Sequence, residues 1–468
     1  MLSRLNPFKG LPNPREVWAW GMFDLANQSF AILINTLFFP IYFASVIVGD
    51  DTKGKWLWGL AAGGANLLVV VCAPIVGAFA DSTGSKKRVL FVTWLGCVAS
   101  LVLLSFAGPG MVAYAMIFFA CATVCYSAGE NLVASFLPDI ADARRMARVS
   151  ALGWTMGYAG ALLVLPVALV ITGAEASASE NRTLVLLAAV WFFANALPTF
   201  LFVHEKRIAP TPGSHANPLT VGFVRFGRTI RDASQFRQVF RFLPAFLVYS
   251  CGVQVVIYFS GIIATDDFGF TGVKLLLFFL QITVTAGIGA FGIGKLQDAL
   301  GRKRALTLTL GVWIVASVGA ALLPRTPEFE WAFWLIGNLI GLALGAIGAG
   351  SRAFFGVLTP LHKSAEFFGL WGASYKLAAV IGPPLYGLAV ALFSGGPEKP
   401  SSDFGSRAAL LVVAGFFTAG LIGLSFVNEG QGRRDARRSD REAGARAADA
   451  RDLAAAQSVA GSESPPIS

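Results

Sequence analysis

Four ionisable residues, Asp24, Glu130, Arg352 and Lys376, stand inside long apolar runs of the chain. A charge at the centre of a membrane-spanning helix costs about 2.5 to 3.5 kcal/mol on insertion scales, so such residues are rare unless they do something. Each has polar company. Asp24 shares a helical face with Asn27 and Gln28 at spacings of three and four, Glu130 precedes Asn131, and Tyr375 precedes Lys376. A carboxyl there can take up and release a proton, a cation can hold an anionic group, and amides and a phenol can hydrogen-bond a polar solute. On these grounds Asp24 and Glu130 are the proton-coupling candidates. Asn27, Asn131, Arg352, Tyr375 and Lys376 are the substrate-binding candidates. The acids fall in the first half of the chain and the cations in the second. A structural intramembrane pair, or a side chain reaching for the interface, accounts equally well for Glu130 and Arg352, and least well for Lys376.

Other chemistry finds no constellation. Cys72, Cys97, Cys121, Cys125 and Cys251 all lie in apolar runs, where cysteine behaves as a small hydrophobe. Cys121 and Cys125 are four apart, but no histidine falls in an apolar run to complete a zinc site. His204, His215 and His362 sit in polar connections. No phosphate-binding loop ending in Gly-Lys-Ser/Thr is present. The expectation is therefore no enzyme, no metal and no cofactor. Asn181-Arg182-Thr183 spells a glycosylation sequon in a connecting loop, a tripeptide common by chance.

A second pattern occurs twice. Gly77, Asp81 and Gly84 are followed by Lys86, Lys87 and Arg88, and Gly294, Asp298 and Gly301 are followed by Arg302, Lys303 and Arg304. Pro138 and Pro360 recur at nearly the same offset, and Glu130 and Arg352 each stand eight residues before them. The chain is therefore read as an internal repeat. Asp81 and Asp298 fall where helices end, and the dipole there disfavours an anion. Neighbouring basic residues, or the positive starts of other helices, must offset that cost. Such contacts would act as a gate that latches and releases one membrane face.

The elements that must carry these residues follow from hydropathy. A chain of 468 residues with 55% hydrophobic and 14% charged residues and a mean hydropathy of +0.64 is too apolar for a water-soluble protein. Twelve apolar runs of roughly bilayer-crossing length are visible. They are Trp18 to Val48, Leu57 to Phe79, Val89 to Phe106, Met111 to Leu137, Val149 to Ile171, Leu184 to Val203, Phe242 to Ala264, Leu275 to Ile293, Ala305 to Leu323, Trp331 to Leu358, Phe367 to Leu392 and Ala408 to Val427. Unalternating runs of this length predict helices, which satisfy their own backbone hydrogen bonds in lipid. The fold class is all-α integral membrane, in two pseudo-symmetric bundles of six helices. Residues 16–203 form the first bundle and 242–427 the second. Residues 1–15 form a cytoplasmic N-terminal segment, 204–241 a cytoplasmic linker and 428–468 a disordered cytoplasmic tail. Most of the 37 Lys and Arg fall on the side that holds both termini, which places that side in the cytoplasm. The net charge of +10 is a topology signal and a match for anionic lipid, and needs no nucleic acid. Gly382-Pro383-Pro384 predicts a bend or break in the eleventh helix.

The repeated Gly-x-x-x-Asp-x-x-Gly block with its basic cluster resembles the loop signature of the major facilitator superfamily. A narrower resemblance rests on Trp20-Gly-Met-Phe-Asp24-Leu-Ala-Asn27-Gln-Ser-Phe30, on Phe136-Leu-Pro-Asp139-Ile-Ala, and on Arg148-Val-Ser-Ala-Leu-Gly153 with Gly157-Tyr158. These are similar to the vacuolar amino-acid effluxer branch of autophagy-related permeases and their bacterial members, over roughly Arg15 to Val427. One position departs: the branch's acid before a glycine in the seventh helix is replaced by Ser250-Cys251-Gly252. The resemblance implies the major facilitator fold and transport by alternating access. The expected function is secondary-active, proton-coupled movement of a small polar solute, with an amino acid as the first candidate. Lipid or drug efflux, and a membrane receptor that does not transport, stay open as alternatives. The expected partners are a small-molecule substrate, protons and membrane lipids. The expected state is a monomer in a bacterial cytoplasmic (inner) membrane.

Overall fold

The computed structural model describes residues 8, 11, 13–49, 51–172, 178–205, 227, 236–264, 268–270, 272–393 and 403–462. Within them the chain is helical throughout, as lipid requires of segments that must pair their own backbone groups. The first half comprises α1 (Pro14–Ser29), α2 (Asp51–Thr83), α3 (Lys86–Leu104), α4 (Val112–Ser135), α5 (Met146–Thr172) and α6 (Ala178–Phe202). The second comprises α7 (Arg237–Ile262), α8 (Gly272–Leu300), α9 (Arg302–Leu322), α10 (Glu330–Leu358), α11 (Ser364–Phe393) and α12 (Asp403–Ser425), followed by α13 (Glu429–Ser462). Beyond Ser29 the α1 span continues through widened π-type turns, Phe30–Leu37 and Phe43–Val48, on either side of a short turn at Phe39–Tyr42. Pro40, which lacks an N–H, sits in that short turn.

Eleven of these helices are long and apolar enough to cross a membrane among the described residues. The remaining long one before the tail, α11, has 30 residues and packs between α2 and α7. The repeat read from sequence is visible in the packing. In the first half α1 lies against α5 and α6, α4 against α2 and α3, and α3 against α6; each contact recurs six helices later. Between the halves α2 meets α11 and α5 meets α8, a pair of seams related by the same symmetry. Polar side chains fasten the bundles by bonding to carbonyls of neighbouring helices: Trp20 Nε1 to Val133 (2.7 Å), Thr199 Oγ1 to Ala19 (2.8 Å) and Ser29 Oγ to Ala188 (3.0 Å). Outside, Val92, Val190, Val315 and Leu322 are all more than 60% exposed, an apolar girdle that suits acyl chains and not water.

The start of α1, the end of α2, the end of α12 and all of α13 share one membrane face, which also carries the basic loops. Contacts that place them together include Glu16 with His204, Lys86 with Ser364, and Arg302 with Glu429. This is called the basic face below.

Three expectations need correction. The stretch from 428 is not disordered over its described length: α13 is a helix to Ser462, stabilised by its alanine content, by the Arg438–Glu442 pair four residues apart, and by docking on the second half. Of the bend or break expected at Gly382-Pro383-Pro384, the break is absent: α11 runs on to Phe393. Asn181-Arg182-Thr183 lies in the first turns of α6, not in a loop. Of the 204–241 linker, residues 206–226 and 228–235 lie outside the described residues, and α7 starts at Arg237.

Candidate functional site

Asp24, two to three turns into α1, meets Arg352 of α10 across the two halves, with Oδ2 accepting from Nη1 at 2.9 Å. The side chains are only 14% and 5% exposed. The rest of the guanidinium is also occupied. Nε donates to Ser150 Oγ (3.1 Å), Nη2 donates to the Ser150 carbonyl (3.0 Å), and the plane lies 4.7 Å from the Trp20 ring and 5.7 Å from Trp154. A charge out of water is tolerated when it is paired and hydrogen-bonded, and each of the three guanidinium nitrogens of Arg352 has a partner. Gly153 makes room for the pair, since a Cβ there would stand 2.5 Å from Asp24 Oδ2 and 2.6 Å from Arg352 Nη2. The arrangement ties α1, α5 and α10 together.

Glu130 and Lys376 form the second cross-half couple, and it is looser. Glu130 of α4 lies beside the Tyr126 hydroxyl one turn earlier and within electrostatic range of Lys376 on α11. Lys376 Nζ stands 6.0 Å from the centroid of the Tyr126 ring, which is itself stacked on Phe30 at 4.4 Å. No ion pair within 4.0 Å joins Lys376 to another described residue. Asn27 is 2% exposed with Oδ1 unpartnered, and Asn131 is 6% exposed with Nδ2 unpartnered. Buried amide atoms of this kind carry a desolvation cost unless something bonds them. Asn131 presses on Gly372 of α11, where a Cβ would overlap its amide. Tyr375 is held from behind: its carbonyl accepts from Gln254 Nε2 (3.4 Å) and its ring stacks on Phe246 at 6.1 Å.

The first copy of the repeated loop joins the two halves at the basic face. Asp81, at the end of α2, accepts backbone N–H bonds from Glu366 (2.8 Å) and Ala365 (3.2 Å), the opening residues of α11 in the other half. This is how an acid at a helix C-terminus is compensated: it caps the positive start of a facing helix. Gly77 permits the approach, because any Cβ there would overlap the Ala365 carbonyl. Gly84 turns the chain at φ 62°. Lys86 is buried, paired with Asp139, and donates to Ser364 Oγ (3.0 Å) and the Ser135 carbonyl (3.3 Å). Lys87 bonds the Val203 carbonyl at 2.6 Å, and Arg88 is exposed.

The second copy is built differently. Gly294 lets α8 approach Ala151 of α5, with 2.8 Å to an imagined Cβ, and Gly301 turns at φ 87°. Asp298 is exposed, in electrostatic range of Arg302 and Arg148. Arg302 pairs with Glu429 at 2.8 Å, Lys303 bonds the Ser425 and Val427 carbonyls at 2.7 Å each, and Arg304 is exposed. The second basic cluster thus anchors the chain around α13.

Asp139, Ser364, Ser150, Trp20 and Trp154 complete these networks and were not among the candidates. Asp139 lies in a motif visible in the sequence, Phe136 to Ala141, but its partner Lys86 is 53 residues away. Among the described residues no group of three His, Cys, Asp or Glu could hold a metal.

Two symmetric six-helix bundles, joined along α2–α11 and α5–α8 with buried charge between them, define a membrane transporter of the major facilitator type. The chain matches the profile of the vacuole effluxer Atg22-like family over residues 63–437, and belongs to that family. It is 26% identical over 424 residues to YxiO of Bacillus subtilis, described as an uncharacterized MFS-type transporter, covering 88% of this chain and 94% of that one. It spans about half the length of several fungal autophagy-related 22 proteins. In fold it resembles the proton:xylose symporter XylE (TM-score 0.69, 14% identity, 90% and 96% of the two chains). It also resembles the human organic anion transporter MFSD10 (TM-score 0.67, 16% identity, 88% and 99%).

Proposed function

We propose that the chain is a secondary-active, proton-coupled permease for a small polar solute with an anionic group, an amino acid being the first class to test. The observation that carries this reading is the contrast between Arg352 and Lys376, the two cations deep within the spans. Arg352 has its donors committed to Asp24 and Ser150, whereas Lys376 has only a distant acid. An ammonium in a desolvated site attracts a carboxylate or similar anion strongly. Glu130, beside Tyr126, is then the carboxyl that exchanges a proton or receives a solute ammonium, and Asn27 and Asn131 offer the amide groups. A cavity built for apolar drugs or lipid would carry fewer charges.

Alternating access follows from the seams. The basic face, assigned to the cytoplasm of a bacterial inner membrane, is shut by Asp81, Lys86 and the Asp24–Arg352 pair. Movement of one half against the other would release these contacts together. The kinship in fold with a proton:xylose symporter and an organic anion transporter is consistent with both the coupling and the charge of the solute.

Reconstitution in proteoliposomes tests the reading. A counterflow screen of amino and other organic acids should find a substrate, and an imposed pH gradient should drive its accumulation. Glu130→Gln should retain counterflow exchange while losing at least most of the gradient-driven accumulation. Wild-type accumulation by Glu130→Gln would exclude this residue from coupling, and a protein that binds solutes without moving them would favour a receptor.

A further inference from the structure

The residues gripped by the first half, Ser364, Ala365 and Glu366, begin α11 and directly follow the connection Pro360–Lys363. That connection has its own anchor on the other side. Asp440 of α13 accepts from the His362 backbone N–H at 3.3 Å, and its Oδ1 lies 2.9 Å from His362 Nδ1. The near end of α13 is pinned by Arg302 to Glu429, by Gln238 to Gln431 (3.0 Å), and by the bond from Asn428 N to Gln238 Oε1 (2.8 Å). Gly432 brings its first turn onto Leu358, the last residue of α10. In this way α13 lies across the ends of α7, α9 and α10 and ends its described contacts on the α10–α11 connection.

We propose that α13 is a regulatory brace: docked through Asp440 to His362, it holds the start of α11 in the orientation that Asp81 and Lys86 recognise, and so biases the transporter toward the closed basic face. The proposal rests on the gate reading given above and adds a control element to it. The physical reason is geometric. Asp81 needs two adjacent backbone N–H groups aimed at one carboxylate, and Lys86 needs the Ser364 hydroxyl beside them. A three-residue turn that precedes a helix start and has lost its tie to α13, keeping Lys363 over the Phe236 ring, would present these donors with less order. Loss of the anchor adds the entropy of that turn to the cost of closing. The contact is partly exposed, with side chains 20% and 25% accessible, so it can be broken without unfolding the bundle. A binding partner or modification that undocks α13 would therefore open the basic face without touching the solute site.

The test uses the full chain in nanodiscs, spin-labelled on the basic ends of α2 and α11, with the distance distribution as readout. Asp440→Asn and His362→Ala should each raise the open-face population on the order of fivefold, as expected for couplings of this kind. His362→Gln, which keeps a side-chain donor, should restore part of the closed population. Arg434→Ala, exposed on α13 and outside the docking contacts, should change nothing. Asp81→Asn serves as the reference for gate loss. If Asp81→Asn opens the face and neither Asp440→Asn nor His362→Ala does, the brace is wrong and the gate stands. If none of them shifts the distances, the gate reading fails and the brace with it.

Discussion

Lys376→Met should abolish solute binding while leaving a folded, membrane-inserted protein. Methionine is close in length and fits an apolar span, so the change removes charge with little change in volume. Truncating one partner of a desolvated charge pair costs several kcal/mol, which places the expected loss of affinity on the order of a hundredfold or more. The readout is counterflow of the solute found in the reconstituted screen, with monodisperse elution and thermal unfolding in detergent as controls for folding. Lys376→Arg should recover only part of the affinity. The guanidinium is longer and carries its charge in a planar fork, and cannot replace a point charge facing Tyr126 and Glu130. Wild-type affinity in Lys376→Met would move the anion site elsewhere and remove the main support for an anionic solute.

The second large effect concerns Asp24 and Arg352, and it separates architecture from transport. Asp24→Ala strands a buried guanidinium, and breaking a buried pair in this way is expected to destabilise by about 3–5 kcal/mol. Removing both charges is a different matter. Asp24→Leu with Arg352→Met should regain most of the thermal stability, because the pair's desolvation cost disappears together with its attraction. That double variant should nevertheless transport poorly, since the contact joins α1 of one half to α10 of the other and is one of those the proposed gate must make and release. Thermal unfolding of Asp24→Leu alone, Arg352→Met alone and the two together gives the coupling energy directly. Additive losses would mean that the pair is not an energetic unit.

How far this was legible in the sequence depends on the distance each feature bridges. Apolar runs report on solvent locally, so the spans and their pairing into repeats could be read directly. The difference at α13 has a local cause as well: a stretch rich in charge lacks the apolar residues that mark a core-forming helix. Alanine and the Arg438–Glu442 spacing nonetheless favour a helix that then docks on Arg302 and His362. The buried charges were recognisable as unusual, but their pairing was not. Symmetry set Glu130 opposite Arg352, whereas the fold joins Arg352 to Asp24, 328 residues away, and leaves Glu130 near Lys376. Asp81 needs either the neighbouring basic residues or a positive helix start, and only the packed structure selects the start of α11. Ser150 and Asp139 stand in motifs visible along the chain, but their partners do not, since their roles come from the arginine and lysine that fold onto them from 202 and 53 residues away.

The two versions of the repeated loop place their aspartates in different media, and ionic strength will tell them apart. Asp81 meets backbone amides inside a packed seam, where mobile ions have no access. Asp298 faces Arg148 and Arg302 from an exposed position, where attraction decays over about 8 Å at physiological salt and about 3 Å at 1 M. Raising salt should therefore loosen the α5–α8 seam and spare the α2–α11 seam. Thiol labelling of paired cysteines placed on each would show unequal changes. A closed face secured by one salt-insensitive and one salt-sensitive edge would part from a defined side, swinging like a door about the α2–α11 line.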